Sequence, residues 1–201
     1  MKRTRTCSTA LDTNAKHDYK LVFTLLAVGL MTGALTTEID RAGLAVGAIF
    51  GITISIALLI TGASQNVRGA VRLTVVSFVA FFLAYGLTFY AQLLIPGTDQ
   101  WSMSHNPSPS ALPLFFGGTL GAFLVLGEAL HMIRPEVHWF ASLKRGFKWS
   151  PVGGALAVIG GLAGPRSETS IPFALTIVWQ AGIGGLIGYL AAPRSNISGQ
   201  R

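Results

Sequence analysis

The sequence predicts an all-α membrane protein, a compact bundle of six transmembrane helices with glycine-rich packing faces. Three observations lead to this prediction. Of the 201 residues, 51% are hydrophobic and only 11% are Asp, Glu, Lys or Arg, whereas soluble domains carry roughly 25% charged residues. The mean hydropathy is positive, at +0.55. Apolar runs close to the length of about 20 residues that crosses a bilayer recur along the chain.

Six apolar runs qualify, or nearly qualify, as membrane spans. Their approximate bounds are 21–37, 43–63, 70–95, 112–133, 150–165 and 171–192. The third run is long enough to tilt in the bilayer. The fifth, SPVGGALAVIGGLAGP, is shorter than the usual length of about 20 residues, so it is either a short span or a re-entrant segment buried by its neighbours. The distribution of charge favours a span.

The basic residues predict the orientation of the chain. If residues 1–20 form a cytoplasmic tail, all but two of the 15 Lys and Arg lie on the cytoplasmic side, and only Arg41 and Arg166 lie outside. This asymmetry follows the positive-inside rule, and it places the C-terminal tail, 194–201, in the cytoplasm as well. We expect anionic lipid headgroups as partners. We expect no nucleic-acid partner, because nucleic-acid binding needs a basic patch on one face of a fold.

Residues 135–149, PEVHWFASLKRGFKW, differ in character from the apolar runs. Pro135 and Glu136 are typical of a helix start, and the apolar residues that follow fall on one helix face beside three basic residues. This pattern predicts an amphipathic helix lying on the cytoplasmic leaflet. The alternative is a connecting loop with basic anchors.

Glycines spaced four residues apart predict close helix packing. They include Gly43, Gly47 and Gly51 in the second span and Gly184 and Gly188 in the sixth. Small residues let helix backbones approach closely, so that van der Waals contact drives association in lipid. These faces either pack inside one chain or bind a second copy or another membrane protein.

Ionisable and polar residues inside apolar spans are the candidates for a functional site, because burying them in lipid is costly. Glu128 is the only acid clearly inside a span, and His131 shares its helix face. Arg72 lies at the start of the third span, which is antiparallel to the fourth. The sequence therefore predicts an Arg72–Glu128 pair with His131 beside it. Gln180, near the middle of the sixth span, is a fourth candidate that bonds another helix or lines a polar path.

The predicted pair has three interpretations. It is a structural clamp between two helices, or a proton or cation site with His131 as a second titrating group, or Glu128 reaches to the interface without a partner. The Glu-x-x-His spacing of Glu128 and His131 also occurs in di-iron bundles, but those proteins need a second such motif and further glutamates. We therefore expect no metal site.

The motifs of common enzymes are missing from the sequence. No Walker loop, GxSxG or HExxH motif occurs, and the single cysteine, Cys7, allows no intrachain disulfide. We expect a protein of the bacterial inner membrane that is not an enzyme and has no cofactor. The leading hypothesis is a small transporter or channel-like protein for a small solute or ion. The alternative is a non-catalytic membrane subunit or scaffold that binds partner helices through its glycine faces.

Overall fold

A computed structural model describes residues 7–39, 45–94, 111–163 and 173–192, and in these ranges the chain forms six α-helices and no strand. The predicted Gly43 and the tail 194–201 lie outside the described residues. The prediction of an all-α bundle is thus confirmed. The helices are α1 (Cys7–Ile39), α2 (Val46–Ile60), α3 (Val67–Leu94), α4 (Ala111–Ile133), α5 (Trp139–Ala163) and α6 (Phe173–Ala191).

Four of the helices are long and apolar enough to cross a membrane. Their apolar stretches are Tyr19–Thr36, Val67–Ala91, Ala111–Ile133 and Ala174–Ala191. Helix α2 is apolar but has only 15 residues, fewer than the usual number of about 20. Helix α5 has 25 residues, but its first half carries three basic side chains. By length and composition, the chain is therefore a multi-pass helical membrane protein.

Two helices begin earlier than the sequence predicts. Residues 7–20, predicted as part of a tail, form the first turns of α1, which has 33 residues. In place of a separate interfacial helix over 135–149 and a short span over 150–165, the structure has the single helix α5. A Cβ on Gly146 would lie 2.7 Å from the backbone nitrogen of Gly127. This close fit lays the first half of α5 along α4. The structure therefore corrects the predicted helix bounds, and the interfacial position of this segment stays a prediction.

Pro151 lies inside α5 without ending the helix. A proline has no N–H to donate to the carbonyl four residues earlier, which here belongs to Phe147. The hydroxyl of Ser150 donates to that carbonyl instead, at 2.8 Å. The carbonyl therefore keeps a donor, as backbone groups in an apolar environment require.

Successive helices pack side by side, and α6 returns to α1, so that the helices close a ring. Neighbours in this ring are antiparallel. On α1, for example, Gly29 faces Gln180 of α6, whereas Val22, two turns earlier, faces Gly188. Helix α4 also contacts α6 across the ring. Accordingly, 56% of the apolar stretch of α4 is buried, against 22% of that of α3.

The predicted glycine positions that the structure describes pack against other helices of the same chain. A Cβ on Gly47 or Gly51 would lie 2.5 or 2.7 Å from a backbone atom of α3, and one on Gly188 would lie 2.7 Å from α1. Gly184 likewise faces the carbonyl of Leu25 on α1. These contacts leave no room for a side chain, so the glycines hold the bundle together from within.

Candidate functional site

Glu128 is a carboxylate enclosed by the bundle. Its side chain is only 3% exposed, and its neighbours along α4, from Val125 to Leu130, are all buried. This burial arises because α4 contacts three helices, α3, α5 and α6. A carboxylate in such surroundings requires a charged or hydrogen-bonding partner.

Arg72 supplies the opposite charge. Its Nη2 donates to Oε2 of Glu128 at 3.0 Å. The two residues meet because α3 and α4 are antiparallel neighbours, which places the start of α3 beside the end of α4. The predicted ion pair is present. Its two members differ in exposure, since the side chain of Arg72 is 52% exposed.

Trp139 also binds Glu128, and the sequence did not indicate this contact. Trp139 is the first residue of α5, and its Nε1 donates to the same Oε2 atom at 3.3 Å. A short turn over 134–138 returns the chain towards the end of α4. Pro135 is the one feature of the sequence that indicates a tight turn here, but the direction in which the chain leaves that turn depends on packing.

His131, which was predicted to lie beside the ion pair, binds the backbone of the following turn. Its Nδ1 lies 3.1 Å from the carbonyl oxygen of Val137. A carbonyl only accepts, so Nδ1 carries the hydrogen in this bond. The N–H of Val137 in turn donates to the carbonyl of Arg134 at 3.1 Å. His131 therefore fastens the turn between α4 and α5, which leads directly into Trp139.

The two carboxylate oxygens of Glu128 differ in their hydrogen bonding. Arg72 and Trp139 both bind Oε2, whereas Oε1 is buried and has no hydrogen-bond partner among the described residues. Leaving a buried acceptor unpaired costs about 1–3 kcal/mol, and more for a charged group. Buried polar atoms without a hydrogen-bond partner are rare in folded proteins, and one reason for keeping such an atom is a functional role.

Gln180 lies apart from this cluster. Its side chain is buried, and its Oε1 has no partner among the described residues. The adjacent Trp179 donates from Nε1 to the carbonyl of Gly118 at 3.4 Å. Gly118 lies about 15 Å along α4 from Glu128 at about 1.5 Å per residue. Glu128 and Gln180 are therefore two separate polar positions.

The end of the bundle that holds Glu128 is basic and is fastened by side-chain hydrogen bonds. The hydroxyl of Ser64, in the turn between α2 and α3, donates to the carbonyl of Met132 at 2.8 Å. The side-chain oxygen of Asn66 accepts from the N–H of Gly69 at 2.8 Å, which caps the start of α3. The basic residues at this end are Lys20, Arg68, Arg72, Arg134, Lys144, Arg145 and Lys148.

Within the part of the chain that the structure describes, no three His, Cys, Asp or Glu side chains are grouped so that they could hold a metal ion.

In comparisons with protein-family models, curated proteins and solved structures, the chain has no significant match. The residues of the site itself are therefore the basis for a functional proposal.

Proposed function

We propose that the chain is a six-span inner-membrane transporter or channel-like protein for a small solute or ion, and that Glu128 takes up and releases a proton as it works. One observation carries the proposal. Oε1 of Glu128 is buried with no donor among the described residues, while Oε2 of the same carboxylate binds an arginine that is half exposed. Ionisable groups buried inside helical membrane proteins are typical of proton relays.

A proton fits this oxygen better than a metal ion does. A cation such as Ca²⁺ takes about six to eight oxygen ligands, and the guanidinium of Arg72, 3.0 Å from Oε2, would repel it. A proton requires one lone pair. Its arrival at Oε1 cancels the negative charge that attracts Arg72, so the contact between α3 and α4 weakens. Proton uptake is thereby coupled to the packing of two helices.

The surface of the bundle supports the membrane placement. Large apolar side chains such as Val75, Phe78 and Leu83 of α3 point outward, and soluble proteins rarely expose continuous apolar surfaces of this kind. With the basic end in the cytoplasm, the chain follows the positive-inside rule. In this arrangement α2 is a short fifth span. Helix α5 is the sixth, and the basic side chains of its first half lie near the headgroups.

Cys7 provides a test of the orientation, because it is the only cysteine in the chain. We expect a membrane-impermeant maleimide to label the wild-type protein in inside-out membrane vesicles and to leave it unlabelled in intact cells. A Cys7→Ser variant sets the background, and detergent-solubilised protein sets full labelling. Labelling in intact cells would contradict a cytoplasmic N-terminus.

Glu128→Gln tests the role of the carboxylate. We expect wild-type protein in liposomes to carry protons down a potassium-driven potential, measured with a pH-sensitive dye trapped inside. The Glu128→Gln variant should fall to the rate of empty liposomes, because an amide cannot take up the proton. Glu136→Gln removes the exposed acid at the same end of the bundle and should keep the wild-type rate. Equal flux in wild type and Glu128→Gln would rule out the proton site.

A non-catalytic membrane subunit is the second candidate, and α3 is the observation that favours it. Phe78, Phe82 and Tyr85 form an outward row on α3, and a Cβ on Gly86 would meet no atom of the described residues within 4 Å. The glycines of α2 and α6 already contact helices of the same chain. A partner helix would therefore bind at α3 rather than at the predicted glycine faces.

A further inference from the structure

Three helices meet on one oxygen atom of Glu128. Arg72 of α3 donates to Oε2 from Nη2 at 3.0 Å, and Trp139 of α5 donates to the same atom from Nε1 at 3.3 Å. Each carboxylate oxygen offers about two lone pairs, so Oε2 has as many donors as it has lone pairs. Oε1 is buried and has no donor among the described residues. A proton that arrives at the carboxylate therefore finds its free lone pairs on Oε1.

We propose that Trp139 is a positioning residue of the proton site. Its N–H, together with Arg72, holds Oε2 as the carbonyl oxygen of protonated Glu128 and directs the proton to Oε1. The inference rests on the proton uptake proposed above, and it adds which oxygen carries the proton and which side chain makes that choice. The indole nitrogen only donates, so its contact with Oε2 has the same direction in both charge states of Glu128.

The chain around the start of α5 holds the indole in place. The N–H of Ala141 donates to the carbonyl of His138 at 2.9 Å, which begins the helix at this point. The preceding turn is fastened to α4 by the bond between His131 and the carbonyl of Val137. The ring of Phe140 packs edge-on against the indole, with the ring centroids 5.2 Å apart. Because the indole is fixed by these contacts, it is able to orient the carboxylate that it touches.

A tryptophan at this end of the bundle has a simpler interpretation as a membrane anchor. Aromatic residues are typical of the membrane interface, and Trp139 is 39% exposed. An anchor directs its N–H to headgroups or water, where its polar edge is solvated. The N–H of Trp139 instead bonds to an oxygen of Glu128, whose side chain is only 3% exposed. This direction of the N–H, into the bundle, is what favours a role at the proton site.

Proton uptake changes both contacts of Oε2 at once. The step adds one proton from the solution to Oε1 and breaks no covalent bond of the chain. Hydrogen bonds to an ionised acceptor are roughly twice as strong as those between neutral groups. When the negative charge is cancelled, the bond from Trp139 therefore weakens, and Arg72 loses the attraction of its counter-charge. The start of α5 is thereby coupled to the protonation of Glu128 in the same way as α3.

Infrared difference spectroscopy of the purified full chain in detergent, between acidic and neutral pH, tests the proposal. Protonated Glu128 should give a carboxylic C=O band that is missing from Glu128→Gln. In Trp139→Phe this band should lie at a higher frequency, because the C=O group loses one of its two donors. Trp139→Leu also lacks the donor and should shift the band in the same direction. Trp149, whose ring packs against Tyr189 of α6, provides the matched control, and Trp149→Phe should leave the band at the wild-type frequency.

The comparison with Glu128→Gln accounts for the other titratable side chains around this site. His131 on α4 and His138 on the turn titrate without giving a carboxylic band. Glu136, which is exposed on the turn, gives such a band, but its band remains in Glu128→Gln. Arg72, which meets the carboxylate from α3, stays charged throughout. The band that disappears in Glu128→Gln therefore belongs to Glu128.

The same variants separate this inference from the proposed function. We expect proton flux into liposomes to fall about two- to tenfold in Trp139→Phe, the effect of losing one hydrogen bond, and to keep the wild-type rate in Trp149→Phe. A wild-type spectrum without the Glu128 band would contradict proton uptake itself. A band that is present in wild type but unmoved in both Trp139 variants would overturn only the positioning role. An equal shift in Trp149→Phe would also overturn it, because the shift would then reflect a general change in α5.

Discussion

Two regions of this bundle are held together by different means. Between α1 and α6, Gly29, Gly184 and Gly188 bring two backbones into direct contact. Where α3, α4 and α5 meet, Gly146 also fits closely against Gly127, but charged and polar side chains add the ion pair of Arg72 and Glu128 and the bond from Trp139. Close backbone contact leaves no space for an added side chain, whereas an ion pair depends on the charge of both its members. We therefore expect the first region to be sensitive to an increase in side-chain size and the second to the removal of a charge.

The largest effect that follows from this comparison is expected in the glycine contact. A Cβ on Gly29 would overlap the carbonyl of Gln180 on α6. Because a backbone group cannot rotate away, Gly29→Leu should cost more free energy of unfolding than the typical 1–3 kcal/mol or so of an overpacked core. The measurement is the thermal unfolding temperature of the purified protein in detergent, together with the yield of monodisperse protein.

Gly86→Leu is the matched control for this substitution. Gly86 lies inside α3, where a Cβ would have no neighbour within 4 Å in the part of the chain that the structure describes. The same change should therefore leave the unfolding temperature at the wild-type value or slightly above it, since glycine is a poor helix former. A similar loss of stability in both variants would show that close backbone contact is not what makes Gly29 sensitive.

A smaller effect is expected at the ion pair. Removing one partner of a fully buried pair costs about 3–5 kcal/mol, but solvent already screens Arg72, so we expect Arg72→Ala to cost about 1–3 kcal/mol. Glu128→Gln should cost less, because an amide can be buried without a counter-charge. The double variant should lose less than the sum of the two. Strictly additive losses in the unfolding free energy would contradict an energetic coupling between them.

The sequence was sufficient to predict the helices because span length and hydropathy depend on the chain alone. It was also sufficient for the pair of Arg72 and Glu128, since antiparallel neighbours bring the start of one helix to the end of the next. The contact of Trp139 could not be predicted in the same way. It depends on the fit of Gly146 against Gly127, and spacing along one helix does not reveal which residue of another helix it will meet.

The basic side chains of α5 explain the remaining difference. The hydropathy of its first half is lowered by three basic residues, Lys144, Arg145 and Lys148. From the sequence, the single 25-residue helix was therefore predicted as an interfacial segment followed by a short span. Pro151 strengthens that interpretation, because proline usually interrupts helices. The hydroxyl of Ser150 replaces the N–H that Pro151 lacks by donating to the carbonyl of Phe147. Such a hydrogen bond can be recognised from the structure but not from the sequence.

The first half of α5 joins two places that have so far been considered separately. Trp139 donates to the carboxylate of Glu128 on α4, and Arg145, less than two turns later, donates to the carbonyl of Leu190 on α6. The same stretch of α5 therefore holds contacts with two different helices, so a substitution that displaces this stretch should disturb both contacts at once.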